Sequence, residues 1–443
     1  MGGGARRWRQ ACTAALGTSV VALALPALAT PAPGPASGLG PTAMVAGTGR
    51  ILFRDPVSPL VSARSAVHRT AVPDTAYPLD RTFALHSLPG SQHTIFLDFD
   101  GAEVSGTAWN EPDVGLAPRS YGGWAVSDGL LSTTGLRDVQ SIWQRVAEDF
   151  APFDVDVTTQ DPGQDALDRS GPDDPTYGTR VLITSSRAAM TAACPDACSG
   201  SAWYDVFDTS TSHDFYQPAF VFPEVLGNDV KDIADVISHE VGHNFGLMHD
   251  GTAGDEYYGG HRAWAPIMGA GFGHPIVQWS RGEYAGANNQ QDDLALIAEH
   301  GAPLRADEAG GTPADATPLP AGPAVISSDT DVDVYALGTC AGPVTVRARP
   351  APVSPDLDIR LRLLRPDGTV AASANPPSWR RTYDRARGLA ASISTTVVPG
   401  SWFVSVEGVG HRGPVRGYSG YASVGSYTVR QAGCVAAPGG VSP

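Results

Sequence analysis

The window "HEVGHNFGLMHD", residues 239–250, constrains this chain more than any other, because it gathers three of the chain's 11 histidines into one short stretch. Upstream, Asn228 or Asp229 can cap a helix, and Val230, Ile233, Ala234, Ile237 and Val241 form an apolar stripe. The spacing therefore predicts an amphipathic helix running into the window. On such a helix His239 and His243, four apart, share one face and can hold a single ion. Glu240 sits beside them, able to reach a water on that ion without being a ligand. A third ligand cannot come from the next helical turn in tetrahedral geometry, so the chain has to reverse. Gly246 permits the left-handed backbone with which helices commonly end, and His249 then arrives from the far side. Three neutral imidazoles with one position left open are the pattern of a catalytic zinc, whereas structural zinc usually has four protein ligands. Chance surface histidines or a structural zinc would leave Glu240 and the open position without a use.

Around this window the chain reads as a processed, exported protein. Arg6, Arg7 and Arg9 precede an apolar stretch from about Ala11 to Leu25 and a small-residue site at Ala27-Leu28-Ala29. That is a secretory signal peptide over residues 1–29, too short to span a membrane, with cleavage expected after Ala29. The Arg6-Arg7 pair leaves Sec and twin-arginine export both open. Cys12 leaves with the signal, so Cys194, Cys198, Cys340 and Cys434 remain, an even number in an oxidising compartment. Pairing Cys194 with Cys198 and Cys340 with Cys434 keeps each disulfide inside one domain. The formal net charge of −16 argues against a nucleic-acid binder, which needs a basic face. No later segment has the length of a transmembrane helix, and the mature protein is expected to be soluble, secreted and monomeric.

A chain of 443 residues has room for two domains plus processing segments. Residues 30–92, rich in Pro, Ala, Ser and Gly, read as a pro-region or linker rather than a core. Order begins at "HTIFLDFDG", a buried strand stopped by Asp100-Gly101. Val139, Ile142, Trp143, Val146 and Phe150 then form one helical stripe, and four short strands follow before the histidine helix. This is an α/β (α+β) layered domain, expected over 93–303. Residues 304–323 are a linker by composition. Over 324–434 the pattern changes to strands and turns without helical period, with Asp367-Gly368 as a hairpin turn, which fits an all-β sandwich.

The signature HExxHxxGxxHD resembles that of the metzincin zinc metalloendopeptidases, and Asp250 after the third histidine is similar to their reprolysin-like branch. The resemblance implies zinc on His239, His243 and His249 and Glu240 as general base. Glu240 would take a proton from the attacking water and hand it to the leaving amine. It also implies a twisted mixed sheet with an active-site helix, and a methionine turn downstream. "WAPIMGAGFG" supplies that turn, with Met268 expected to pack beneath the imidazoles without binding metal. Gly246 and Asp250 are expected to support the site. Ala270 stands where astacin-like and serralysin-like members carry a tyrosine, so no tyrosine ligand is expected from the turn. By the same resemblance Gln278, Trp279 and Ser280 would line the specificity pocket. The C-terminal stretch "DVDVYAL…LDIRLRLLRPDG…VPGSWFVSVEGVG…GSYTV" resembles the bacterial pre-peptidase C-terminal domain.

Asp329, Asp331 and Asp333 alternate at a strand start; they suit Ca²⁺ or simply a solvated face, and an EF-hand pattern is absent. No cysteine lies between residues 13 and 193, so cysteine-based latency is unavailable, leaving a carboxylate or steric cover. The function expected is a secreted zinc endopeptidase acting on proteins or peptides. The alternatives are a secreted binding or adhesion protein with a non-catalytic zinc domain, and a hydrolase of non-peptide amides. Neither the natural substrate nor a cleavage rule is legible here.

Overall fold

The computed structural model describes residue 1 and residues 40–57, 77–124, 132–194 and 196–435. The expected signal peptide and its cleavage site lie outside these residues. The first layered region is a seven-stranded mixed sheet. Its strands are β1 (Ala43–Val45), β2 (Ile51–Pro56), β3 (His93–Asp98), β6 (Asp156–Thr158), β7 (Tyr177–Ile183), β8 (Cys198–Trp203) and β9 (Ala219–Val221). They lie in the order β1-β2-β8-β9-β7-β3-β6, while β4 (Gly101–Val104) and β5 (Arg119–Gly122) form a separate hairpin. Strands β6, β3, β7 and β9 run parallel, and β8 and β2 are antiparallel to their neighbours.

Two helices carry the apolar face that packs on this sheet. The first, α1 (Thr133–Asp149), is capped by Ser132, whose side chain accepts from Gly135 N, and buries Val139, Ile142, Trp143 and Val146 along the stripe the sequence gives it. Phe150 follows at its end, also buried. Two short helices, α2 (Gln164–Leu167) and α3 (Arg187–Ala193), precede the histidine helix α4 (Val230–Asn244). The Asp229 side chain caps α4 by accepting from Lys231 N and Asp232 N. Apolar residues on one side and histidines on the other bury nearly the whole of α4, so it is a central element between α1 and strands β8 and β9. The short parallel pair β10 (Trp264–Pro266) and β11 (Ile276–Gln278) follows, then α5 (Asp293–Glu299).

Composition gives residues 30–92 no core-forming pattern, yet the described part contributes to the core. Leu52 and Phe53 are fully buried, because the rest of the domain supplies the apolar surface that the segment lacks by itself.

The β-rich C-terminal part is built on β14 (Val332–Pro350) and β19 (Ala391–Gly408), with β12 (Thr317–Pro318), β13 (Ala324–Ile326), β15 (Ile359–Leu364), β16 (Val370–Ala374) and β20 (Gly425–Val435). A two-stranded hairpin, β17 (Trp379–Arg380) with β18 (Ala386–Arg387), is set apart. Register shifts between Ala336 and Gly338 and between Cys340 and Gly342 divide the long pair. One half pairs with β20, the other with β15, so one pair of strands serves two halves of the sheet. Cys340–Cys434 ties this break, and Cys194–Cys198 staples the loop before β8, both as the sequence suggests. No helix among the described residues is long and apolar enough to cross a membrane.

From Gly40 onward the chain forms one compact unit. The segment 304–323 is mostly exposed, and the parts on either side of it meet directly. Glu148 accepts from Ser426 N (3.0 Å), Tyr421 Oη donates to Asp292 (2.6 Å), and Tyr383 Oη donates to Asp229 (2.6 Å).

Candidate metal centre

The helix α4 presents His239 and His243 one turn apart, and the chain then reverses at Gly246, whose φ of +82° is the left-handed conformation that an L side chain rarely adopts. The reversal delivers His249. One ligand atom from each of His239, His243, His249 and Asp55 lies within 4.8 Å of the others, and all four residues are buried.

Each imidazole is held through its outer nitrogen. His239 Nδ1 meets the Ile267 carbonyl at 2.8 Å, His243 Nδ1 the Leu247 carbonyl at 2.8 Å, and His249 Nδ1 the Glu256 carboxylate at 3.0 Å. In the neutral rings these acceptors hold the proton on Nδ1, so that the three Nε2 lone pairs point inward together. His243 Nε2 and His249 Nε2 lie 3.0 Å apart. Two lone pairs that close repel unless a positive charge sits between them. His239 Nε2, Asp55 Oδ2 and both Glu240 carboxylate oxygens are buried without a hydrogen-bond partner. Buried polar atoms are nearly always paired, so this group of orphans around one point fits a bound cation. The all-nitrogen histidine set, with one carboxylate, suits zinc among the divalent ions.

Electrostatics at the centre follow the same logic. Burial opposes ionisation of Asp55, but His249 and His243 outweigh it and hold its carboxyl well below the usual range. Burial lowers His239 to about 3; it also opposes charge on His249, where Asp55 and Glu256 prevail and raise the pKa to about 9. Glu240 is pushed well above the ordinary carboxyl range by burial and then by Asp55.

The supporting residues divide. Met268 is fully buried against the helix: a Cβ on Gly242 would lie 2.5 Å from its Sδ. Gly242 thus has to lack a side chain, a requirement the sequence reading missed. Asp250 N donates to Met268 O at 2.7 Å, tying the signature to the methionine turn, and its buried carboxyl is raised to about 7, chiefly by desolvation. Gln278, Trp279 and Ser280 do not line the cavity beside Glu240. Trp279 packs on Phe150 and donates to Asp149 O (2.7 Å), Gln278 bonds Trp264 and the Asp356 carbonyl, and Ser280 N donates to Asp293. The C-terminal part covers that face, which a reading of the first domain by itself does not anticipate. The cavity beside Glu240, about 390 Å³, is lined instead by residues including Ser199, Val236, Ala270, Gly271 and Phe272.

Three groups at the centre were not legible in the motif. Tyr257 stacks obliquely on His249 (ring centroids 4.3 Å) and donates to Asp55 Oδ1 (2.6 Å). Glu256 holds His249 and accepts from Thr42 (2.6 Å). The pair lies in "DGTAGDEYYGG", directly after the signature, where an acidic and aromatic run in a glycine loop was the available signal. Asp55 is the third. Elsewhere, Asp307, Asp331 and Asp333 each offer an oxygen within 4.8 Å of the others, while Asp329 turns to Arg281 (3.6 Å).

No family model matches this chain, and no curated protein does. Among solved structures, a pre-peptidase C-terminal domain of collagenase from Bacillus anthracis aligns at 15% identity. The alignment covers 28% of this chain and 98% of that one, with a TM-score of 0.17.

Proposed function

We propose that the chain is a secreted zinc metalloendopeptidase of the metzincin type, hydrolysing peptide bonds in proteins or peptides. The observation that carries this reading is the convergence of three Nε2 atoms, each ring fixed through Nδ1, beside a buried Glu240 carboxylate with no partner of its own. His239, His243 and His249 would hold the ion; Glu240 would not. When bound, zinc polarises a carbonyl and lowers the pKa of a water. Glu240 is the acceptor for that water's proton and the donor to the leaving amine, since burial in α4 fixes it beside the histidines. Gly200 on β8 has no side chain at the point where Glu240 packs, which lets the carboxylate lie against the strand. The cavity walled by Val236, Ala270 and Phe272 would receive a substrate side chain, and its apolar walls suit an apolar one. Two disulfides agree with an oxidising, extracellular setting. The C-terminal part acts as an appended β-sandwich of the pre-peptidase C-terminal kind, and Ca²⁺ is the cation its Asp307, Asp331 and Asp333 oxygens would suit.

The test is Glu240→Gln. Because Asp55 stands over the centre, parent and variant are compared both as they are and in the Asp55→Ala chain. Glu240→Gln retains zinc and loses about 10²–10⁴-fold in peptide cleavage. Equal cleavage at equal zinc content removes Glu240 from the reaction. Absence of cleavage in every chain at full zinc occupancy favours a binding protein.

A further inference from the structure

We infer that residues Ile51–Pro56 are an internal inhibitory strand: Asp55 fills the fourth position over the three imidazoles, and β2 occupies the sheet edge that an extended peptide would otherwise take. What is inhibited rests on the peptidase reading; the strand's grip on the centre is read from geometry.

The carboxylate reaches all three rings. Asp55 Oδ2 lies 3.5 Å from His239 Nε2 and 3.4 Å from His243 Nε2, and Oδ1 lies 3.0 Å from His249 Nε2. A carboxylate buried this completely is costly unless cationic or hydrogen-bonding groups face it; Tyr257 and His249 face Oδ1, while Oδ2 is turned to His239 and His243 without a hydrogen bond. Tyr257 Oη, donating to Oδ1, latches it from the loop after the signature. Residues two apart on a strand share a face, so Phe53 accompanies Asp55 toward the histidines. It stacks on His243 (centroids 4.1 Å, planes 10° apart) and meets His249 edge-on.

The backbone is held as firmly as the side chain. Strand β2 runs antiparallel to β8 with Leu52 opposite Trp203, Phe53 opposite Ala202, Arg54 opposite Ser201 and Asp55 opposite Gly200. Two β8 hydroxyls add to the ladder: Ser201 Oγ donates to Phe53 O (2.6 Å) and Ser199 Oγ to Asp55 O (3.1 Å). On its other side, among the described residues, β2 pairs only with the three-residue β1. Without this segment β8 would be the edge of the sheet, with unpaired backbone groups beside the histidines. An unpaired edge next to a reaction centre is where an extended peptide adds as a strand. Asp55 would stand where the water and scissile carbonyl have to go, directly beside Glu240. Because the strand belongs to the same chain, its effective concentration is high, and free peptide competes poorly.

The experiment uses the full chain, with Ile51–Val57 verified by mass spectrometry and cobalt(II) in place of zinc. Visible spectra are recorded with and without acetohydroxamate, a small metal-chelating probe, and cleavage of a short peptide is followed in the zinc form. In the parent the probe leaves the spectrum unchanged at millimolar concentration. In Asp55→Ala the spectrum shifts, the probe shifts it again, and cleavage rises about 10²-fold, as expected when a tethered competitor is lost. Asp55→Asn, which preserves shape, gives the same directions and serves if the alanine variant does not fold. Changed spectra with no cleavage in any chain leave the strand's role standing and sink the peptidase reading. Identical spectra, probe responses and cleavage in parent and variants overturn the inhibitory strand while leaving the peptidase reading intact.

Discussion

Two buried polar clusters meet α4, one through Ser238, which donates to Asp149, and the other through His239 and His243, and burial has opposite consequences in them. At the end of α1, where the C-terminal part docks, Glu148, Asp149 and Asp356 gather out of water. Desolvation first, then neighbouring carboxylates, raise Glu148 and Asp149 to about 8 and Asp356 well above its usual range. Asp55 is just as completely buried, yet its carboxyl is held down by His249 and His243. Burial by itself keeps a carboxyl protonated; a facing group of opposite charge, here His249 with its raised pKa, keeps it ionised. The acidic cluster is therefore a proton-holding joint between the two parts of the chain. The histidine cluster is a set of ligand atoms that could hold a cation.

The sharpest perturbation of the joint's side leaves the metal side alone. Removing Cys340–Cys434, which closes a sequence separation of 94 residues, should cost ~2–4 kcal/mol in denaturant titrations without altering zinc content. Loss of zinc in a folded double-serine variant would show that the two clusters are not independent. The converse change is Gly242→Ala. Its methyl collides with Met268 Sδ, so overpacking of ~1–3 kcal/mol is expected together with weaker zinc retention. Unchanged stability and zinc retention would remove Met268 from the support of the centre.

The joint should also respond to pH. Between about 4.5 and 8 native Glu148 keeps a proton that the unfolded chain has lost, so this contribution to stability falls as pH rises. The slope is about 1.4 kcal/mol per pH unit for one such carboxyl, levelling above about 8. Asp149 adds a slope of the same sign, tempered by Lys231 and Arg145. Urea midpoints from pH 5 to 8 should fall less steeply in Glu148→Gln than in the parent; parallel slopes would contradict the joint. The smallest effect concerns calcium. At millimolar concentration it should stabilise the C-terminal part by about 1 kcal/mol or less, and Asp331→Asn should abolish the shift in melting temperature.

What the sequence disclosed was local. His239, Glu240, His243, Gly246 and His249 lie within little more than two helical turns and one reversal, so helix period and glycine chemistry suffice to assemble them. Strands β3, β6, β7, β8 and β9, helix α1 and both disulfides were readable for similar reasons, since each was constrained by short-range pattern or by parity, whereas β1, β2 and the β4–β5 hairpin were not read. Asp55 was not, because its partners lie more than 180 positions away and its surroundings are poor in periodic apolar residues. The run "ILFRDP", bounded by Gly49 and Pro56, was the one strand signal available there. Gln278 to Ser280 were misplaced for the reverse reason: their motif context was right, but packing of a later region decided which way they face.

The central claim is that the three imidazoles hold a zinc ion, and metal content tests it most directly. Parent and His249→Ala, both confirmed as folded, are passed through a mild chelator and analysed for zinc. The parent should retain about one zinc per chain, and the variant, lacking a third of the histidine shell, should retain little. Full zinc in His249→Ala, or a folded parent that binds none when zinc is supplied, would contradict the account.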